Sequence, residues 1–169
     1  LLPLLDPGRL VEFLDGLAWV ESPWNNSHMG AGIYPSLVLT GEADLAWQDA
    51  YFQWLWDEAD PETGMWRKGC IGCEGSSPFF THLVGSFHYL FNHEYAHRRL
   101  RYPDRFVDTC LKIEREDETY LQKGVYFADV DWVYCTNRAL RQCGHRFGEC
   151  QDALRDFGRR YVALLEAID

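Results

Sequence analysis

The sequence predicts an all-α fold built from α-hairpin repeats of about 50 residues. Apolar residues recur at helical spacing along most of the chain, and two kinds of helix alternate. One kind is nearly uncharged, as in 83–91, which indicates a buried helix. The other kind carries charge along one face, as in 152–160. Repeats of this size stack into open solenoids or closed rings.

Seven helices are expected from the apolar spacing and from the residues that start and stop helices. Asp6, Ser27 and Asp131 are expected to cap the first, second and sixth of them. Pro35 lies inside the second helix and should kink it. The expected spans are 6–19, 27–41, 43–60, 79–93, 105–115, 132–143 and 149–168.

The stretch D-P-E-T-G-M-W-R-K-G, residues 60–69, separates the third helix from the fourth. Asp60 precedes a proline and should end the helix, because that position disfavours the α conformation. Gly64 supplies a turn, and a second turn-rich loop is expected at 117–120. Each repeat then holds an outer helix, a loop and an inner helix. In a single domain of residues 1–169, the repeats are expected at about 6–41, 43–93 and 104–145, with a final outer helix at 149–168.

Composition excludes several classes of partner. The chain has 169 residues, of which 47% are apolar, so a folded domain with a sizeable core is expected. Its net charge of -10 argues against nucleic acid and anionic membranes, which need a basic surface. No apolar run approaches the roughly 20 residues of a membrane span. Leu1–Leu5 lacks the basic segment of a signal peptide, so a cytoplasmic location is expected.

The stretch from Asp60 to Trp66, followed by a buried helix, resembles the repeat of the α/α-toroid proteins, which include terpenoid cyclases and protein prenyltransferases. The match is clearest at Asp60, Gly64 and Trp66. The resemblance implies a partial or truncated α/α toroid, because the closed ring of that family has more helices than are expected here. It also implies a small-molecule, isoprenoid-like ligand, and a second copy of the chain as a partner that would complete the ring.

A second stretch, A-D-V-D-W-V-Y at 128–134, resembles the D-x-D-D motif of class II terpenoid cyclases. In that family the middle aspartate protonates the substrate. Asp129 and Asp131 match the first two acids, and Trp132 stands at the third position. The resemblance implies that Asp129 and Asp131 are catalytic.

Polar residues near the starts of the inner helices would converge at one end of the ring, beside aromatic residues. His28 and His82 occupy comparable positions there, and each is a candidate general acid or base. The alternative is that each histidine bonds a loop carbonyl. The expected ligand contacts are Trp24, Asn25, Asn26, Tyr34, Trp66, Arg67, His88, Trp132 and Tyr134.

Some of these residues have a simpler interpretation. Asn25 and Asn26 suit turns and helix caps equally well. Arg67, together with Lys68 and Lys123, would bind a diphosphate or a uronate, or would be a surface charge. Both interpretations stay open at the level of sequence.

Two short motifs have metal-ligand spacing. Cys70 and Cys73 form a C-x-x-C pair that would bind zinc, close a disulfide or remain as free thiols. Zinc would need about two further ligands, and the candidates are His28, His82, Asp129 and Asp131. His93 and His97 have the H-E-x-x-H spacing of zincins. Their place at a helix end instead favours an electrostatic role at the helix C-terminus.

Three functions follow as hypotheses. The first is a cyclase-like or transferase-like domain whose aromatic pocket binds or transforms an isoprenoid-like ligand. The second is a carbohydrate-active enzyme, a glycosidase or polysaccharide lyase, since α/α toroids also host these activities. The third is a non-catalytic helical-repeat interaction module.

Overall fold

The computed structural model describes residues 1–116 and 127–167, and the structure is helical without strands over that part of the chain. The all-α prediction is therefore confirmed. After a short 3-10 helix at Leu2–Leu5, the helices are α1 Pro7–Asp15, α2 Pro23–Leu39, α3 Leu45–Glu58, α4 Phe79–Tyr95, α5 Pro103–Glu116, α6 Phe127–Cys143 and α7 Phe147–Glu166. The turn predicted at 117–120 lies outside the described residues. So does Lys123, which the sequence left open as either a diphosphate or uronate contact or a surface charge.

Two helix starts differ from the prediction. α2 begins at Pro23, which suits a first helical turn, so Ser27 lies inside the helix and its hydroxyl donates to the Trp24 carbonyl. α6 begins at Phe127, so Asp131 lies within the helix and does not cap it. The cap predicted at Asp6 is confirmed, because its carboxylate accepts from the Arg9 amide at 2.9 Å.

Three helices of equal length form a row through the molecule. α2, α4 and α6 have 17 residues each, and α4 packs against both of the others. We call them the central row. The remaining helices lie beside it: α1 contacts α3, and α7 contacts both α5 and α6.

Within the central row, α2 and α4 approach most closely at glycine positions. A Cβ atom on Gly85 would lie 3.1 Å from the Pro23 carbonyl group. A Cβ atom on Gly30 would collide with the Tyr89 hydroxyl. The absence of side chains at these two positions therefore sets the separation of the helices.

Buried polar groups tie α3 to the same interface. The Asn92 amide nitrogen donates to the Ala31 carbonyl and to the Tyr51 hydroxyl oxygen, both at 2.9 Å. The Tyr51 hydroxyl in turn donates to the Gly30 carbonyl at 3.1 Å. The network satisfies all of these groups away from water, as buried polar groups require.

The loop between α3 and α4 forms the turn predicted from its sequence. The Asp60 carboxylate accepts from the Glu62 amide at 2.9 Å and the Thr63 amide at 2.8 Å. Gly64 has a positive φ of 74°, and a Cβ atom there would lie 2.6 Å from the Tyr102 carbonyl oxygen. Glycine is required here both for the backbone conformation and for contact with the start of α5.

None of the helices in the described part of the chain is long and apolar enough to cross a membrane.

Candidate functional site

Side chains from α2, α4 and α6 meet near the N-terminal ends of α2 and α6. The Trp24 indole of α2 stacks on the Phe127 ring of α6, with centroids 5.1 Å apart and planes within 9°. The centroid of the His28 ring lies 5.9 Å from that of Trp24 and 4.2 Å from that of His88 on α4. We call Trp24, His28, His88 and Phe127 the aromatic–histidine cluster.

Both histidines of the cluster are anchored at the same backbone turn. His28 Nδ1 lies 3.1 Å from the Trp24 carbonyl oxygen. His88 Nδ1 lies 2.7 Å from the Ser27 hydroxyl, which donates to that same carbonyl at 2.5 Å. Burial, and then the neighbouring His28, lower the pKa of His88 to about 4, so its imidazole is neutral at physiological pH.

One face of α6 extends the cluster along α4. Phe127, Asp131 and Tyr134 are spaced four and three residues apart, so they share a face of the helix. Tyr134 packs against Phe87 and Phe91 of α4, with centroids 5.3 and 4.7 Å away. Along α6, Asp131 lies between Phe127, which contacts α2, and Tyr134, which contacts α4. It therefore faces those two helices.

Asp131 is a buried acid among these rings. It is only 5% exposed, and its carboxyl group has no hydrogen-bond partner within the described residues. Burial raises its pKa from 3.8 to about 7. A substantial fraction of the side chain is therefore protonated at neutral pH and is able to donate a proton.

Asp129 faces another way. It lies two residues before Asp131, which places it about 200° away around the helix. It lines a groove of 680 Å³ between α6 and α7, together with Val133, Leu154 and Phe157. Tyr134 borders the same groove, whereas the structure does not bring Asp129 and Asp131 to one site.

Three aromatic residues predicted as ligand contacts lie in the core, away from the cluster. The Tyr34 hydroxyl donates to Gln48 at 3.0 Å. The Trp66 indole N–H donates to the Leu55 carbonyl at 2.6 Å, and that of Trp132 to the Cys110 carbonyl at 2.9 Å. Their large rings are buried with the polar atom paired, which is the usual state of such residues in a core.

His82 is also separate from the cluster. It is fully buried, and its Nε2 lies 2.9 Å from the Ser76 hydroxyl, which donates to the Cys70 carbonyl at 3.0 Å. Burial lowers the pKa of His82 to about 4. The histidine therefore fastens the loop before α4 to the helix.

The polar residues around the start of α2 are engaged locally. The Asn26 side chain donates to the Ser22 carbonyl at 2.9 Å and accepts from the Ala18 amide at 3.2 Å. Asn25 donates to the Ser22 hydroxyl at 3.1 Å. Both asparagines hold the turn that leads into the helix.

Arg67 and Lys68 are engaged in ion pairs. Arg67 contacts Asp15 at 2.8 Å and Glu58 at 2.6 Å, and its guanidinium lies over the Trp54 ring. Lys68 pairs with Glu58 at 3.0 Å. These contacts join the loop after α3 to α1 and to the end of α3.

The thiols of Cys70 and Cys73 are free, and burial raises the pKa of Cys70. Within residues 1–116 and 127–167, no group of three or more His, Cys, Asp or Glu side chains is arranged to hold a metal ion. His93 is buried with Nδ1 3.0 Å from the Tyr89 carbonyl oxygen, whereas His97 lies beyond the end of α4. The zincin-like histidines therefore do not share a helix.

The contribution of Phe127 was not predicted, because α6 was expected to start at Trp132. The helical spacing of Phe127, Asp131 and Tyr134 is the sequence signal that would have revealed it. Ser27 was expected to cap a helix, and the structure instead uses its hydroxyl to anchor His88.

Comparisons with protein-family models, with curated proteins and with solved structures found no match to this chain. The function of the chain is therefore inferred from the geometry and chemistry of the site itself.

Proposed function

We propose that this chain is an α/α-toroid-like repeat domain that binds an elongated apolar, isoprenoid-like ligand and protonates it through Asp131. The observation that carries the proposal is the position of the buried Asp131 carboxyl. It lies on one face of α6, between the Trp24–Phe127 pair and the Tyr134–Phe91 pair.

The order of the helices supports the architecture. The central row takes every second helix of the chain, and α1, α3 and α5 each precede one of its members. An outer helix followed by an inner helix is the unit of an α/α repeat. The groove between α6 and α7 leaves one side of the row uncovered, where a second copy of the chain would complete the ring.

The chemistry of Asp131 and the aromatic rings along α6 suits an acid-initiated reaction. The Asp131 O–H bond breaks, a new C–H bond forms at a carbon–carbon double bond of the ligand, and a carbocation results. Facing rings such as Trp24 and Tyr134 stabilise positive charge through their π electrons. The cation then loses a proton to a base, and His28 of the aromatic–histidine cluster serves as that base. A returning proton restores Asp131, so the step needs no cofactor.

The geometry favours this ligand class over a glycoside. Most glycosidases place two carboxyl groups on opposite sides of one bond. Here Asp129 and Asp131 point in directions about 200° apart on α6. A carbohydrate-active enzyme of that type would need an acid from elsewhere.

A second candidate is an interaction module, and the groove between α6 and α7 is the observation that favours it. Exposed apolar side chains border this groove, including Val130 and Val162. Helical repeats use uncovered faces of this kind to bind partners.

Tryptophan fluorescence tests binding, because Trp24 is half-buried within the cluster. We expect farnesol to quench fluorescence saturably in the wild type, and maltohexaose to have no effect. Trp24→Phe should abolish the quenching, whereas Trp56→Phe, at an exposed position on α3, should retain it. Quenching that survives in Trp24→Phe would place the ligand elsewhere.

Turnover tests the role of Asp131. Product formation from farnesyl, geranylgeranyl and squalene-type polyenes is followed by gas chromatography. Loss of a general acid lowers rates by about 10²- to 10⁴-fold, so Asp131→Asn should show that loss while farnesol quenching persists. Turnover at the wild-type rate in Asp131→Asn would exclude the proposed chemistry.

A further inference from the structure

The two histidines of the cluster are held in a fixed relation by rigid elements. His28 lies on α2 and His88 on α4, and their ring centroids are 4.2 Å apart. The helices meet closely beside them, because Gly85 has no side chain to separate α4 from the first turn of α2. Sites built on packed helices are positioned more accurately than sites on loops.

Hydrogen bonds determine which nitrogen of His28 carries the proton. The Trp24 carbonyl oxygen can only accept, so His28 Nδ1 must be the donor in their 3.1 Å contact. In a neutral imidazole the other nitrogen then has the lone pair. The Nε2 atom of His28 is therefore free to act as a ligand atom, since no described residue bonds to it.

The same conclusion holds for His88. The Ser27 hydroxyl has one proton, which it donates to the Trp24 carbonyl at 2.5 Å. Its oxygen must then accept from His88 Nδ1–H at 2.7 Å. His88 Nε2 carries the lone pair, and no described residue occupies it.

This arrangement matches the environment of metal-bound histidines. Such histidines usually donate the second ring N–H to a carbonyl, carboxylate or water, which fixes the tautomer and the ring orientation. A ligating imidazole must also present a nitrogen lone pair, which the hydrogen bonds described above leave on Nε2 of each ring. The Trp24 carbonyl serves both rings here, directly for His28 and through Ser27 for His88.

From this geometry we infer that His28 and His88 form a two-histidine site for a first-row transition-metal ion that prefers imidazole ligands, with Cu²⁺ bound most tightly. Imidazole suits copper, zinc and nickel, and affinities among the divalent ions are highest for Cu²⁺. The remaining coordination positions stay open to water or to an added ligand. The inference shares His28 with the proposed isoprenoid function, but it is tested separately because metal binding alone reports it.

Cu²⁺ titration of the whole chain, by calorimetry and by electron paramagnetic resonance, tests the site. We expect one tightly bound ion whose spectrum shows hyperfine coupling to two imidazole nitrogens. His28→Ala and His88→Gln should each weaken binding at least tenfold and leave coupling to one nitrogen. Wild-type affinity in either variant, or a wild-type spectrum with a single nitrogen, would overturn the inference.

Two further variants separate a metal site from a general effect on folding. Ser27→Ala keeps both ligands but removes the partner of His88, and loss of such a partner typically weakens metal binding 10- to 100-fold. His97→Asn, at a position outside the cluster whose positive φ asparagine tolerates, should bind Cu²⁺ as the wild type does. Equal loss of binding in His97→Asn would refute the assignment, as would an unchanged affinity in Ser27→Ala. Circular dichroism confirms that each variant is folded.

Discussion

Between α2 and α4 the helices approach until side chain meets backbone, whereas between α6 and α7 a groove of 680 Å³ remains open. The first contact buries a hydrogen-bond network around Asn92 and Tyr51. The second leaves Val130 and Val162 more than half exposed. The difference indicates that the contact between α2 and α4 belongs to the core. The face between α6 and α7 instead supplies an open surface.

Removing a large aromatic ring that packs against α4 should have the largest effect on stability. Trp66 is buried against Tyr89 and His93, with ring centroids 5.6 and 5.2 Å away. We expect Trp66→Ala to lower the free energy of unfolding by about 3–5 kcal/mol, through lost burial and a residual cavity. Both variants are compared by urea titration. Phe157→Ala, at a half-buried ring beside the groove, should lower the free energy of unfolding by clearly less. Equal losses would show that the two regions are equally important for stability.

Asp131 lies on α6, and its burial makes stability depend on pH. Its folded-state pKa of about 7 lies above the unfolded value near 3.8, so the native state holds the proton more tightly. The contribution of Asp131 to stability therefore falls as pH rises from about 4 to 7. We expect Asp131→Asn to be about 2–4 kcal/mol more stable than the wild type at pH 8. The difference should nearly vanish at pH 4.

Urea unfolding at the two pH values measures this effect directly. A gain that is the same at pH 4 and pH 8 would mean that the ionisation of Asp131 is not its source. A loss of stability at pH 8 would mean that the carboxylate is stabilised in the folded protein, contrary to its burial without a hydrogen-bond partner among the described residues.

The close approach of α2 to α4 can be tested with two glycines of one helix. A methyl group at Gly30 would collide with the Tyr89 hydroxyl and lie 2.9 Å from Leu17, whereas one at Gly32 would meet nothing within 4 Å. We expect Gly30→Ala to lower the free energy of unfolding by about 1–3 kcal/mol through overpacking. Gly32→Ala should be stabilising by up to about 1 kcal/mol, because alanine favours the helix. Thermal melts of both variants check the pair, and similar behaviour would contradict the close packing.

The smallest effect is expected at the open groove. Val162 is 53% exposed, and surface substitutions of this kind usually change stability by less than about 0.5 kcal/mol. Val162→Ser should therefore melt as the wild type does while binding less of an apolar dye such as anilinonaphthalene sulfonate. A large loss of stability would show that the groove is part of the core.

Much of the secondary structure could be predicted because its causes are local. Asp6 caps α1 through its own amide neighbours, and Gly64 takes a positive φ in a turn marked by Asp60 and Pro61. The uncharged stretch at 83–91 is indeed mostly buried, since an apolar helix has no face to offer to water. These features depend on residues a few positions apart.

The site could be predicted only in part. Trp24, His28 and His88 were identified as candidates, but their contact with one another and with Phe127 joins three helices that are far apart in the sequence. Trp66 and Trp132 were expected to contact ligand and lie in the core, because an aromatic side chain suits either place equally well.

By itself, the sequence determined that the chain forms helices, where most of them lie, and which stretches are apolar enough to be buried. Tertiary structure alone decided that Asp131 faces α4 while Asp129 faces α7, and that two histidines 60 positions apart share one carbonyl group. The physical reason is that helical periodicity assigns each residue to a face of its own helix. Which faces meet is settled by close packing, here by glycines that let α2 and α4 come together.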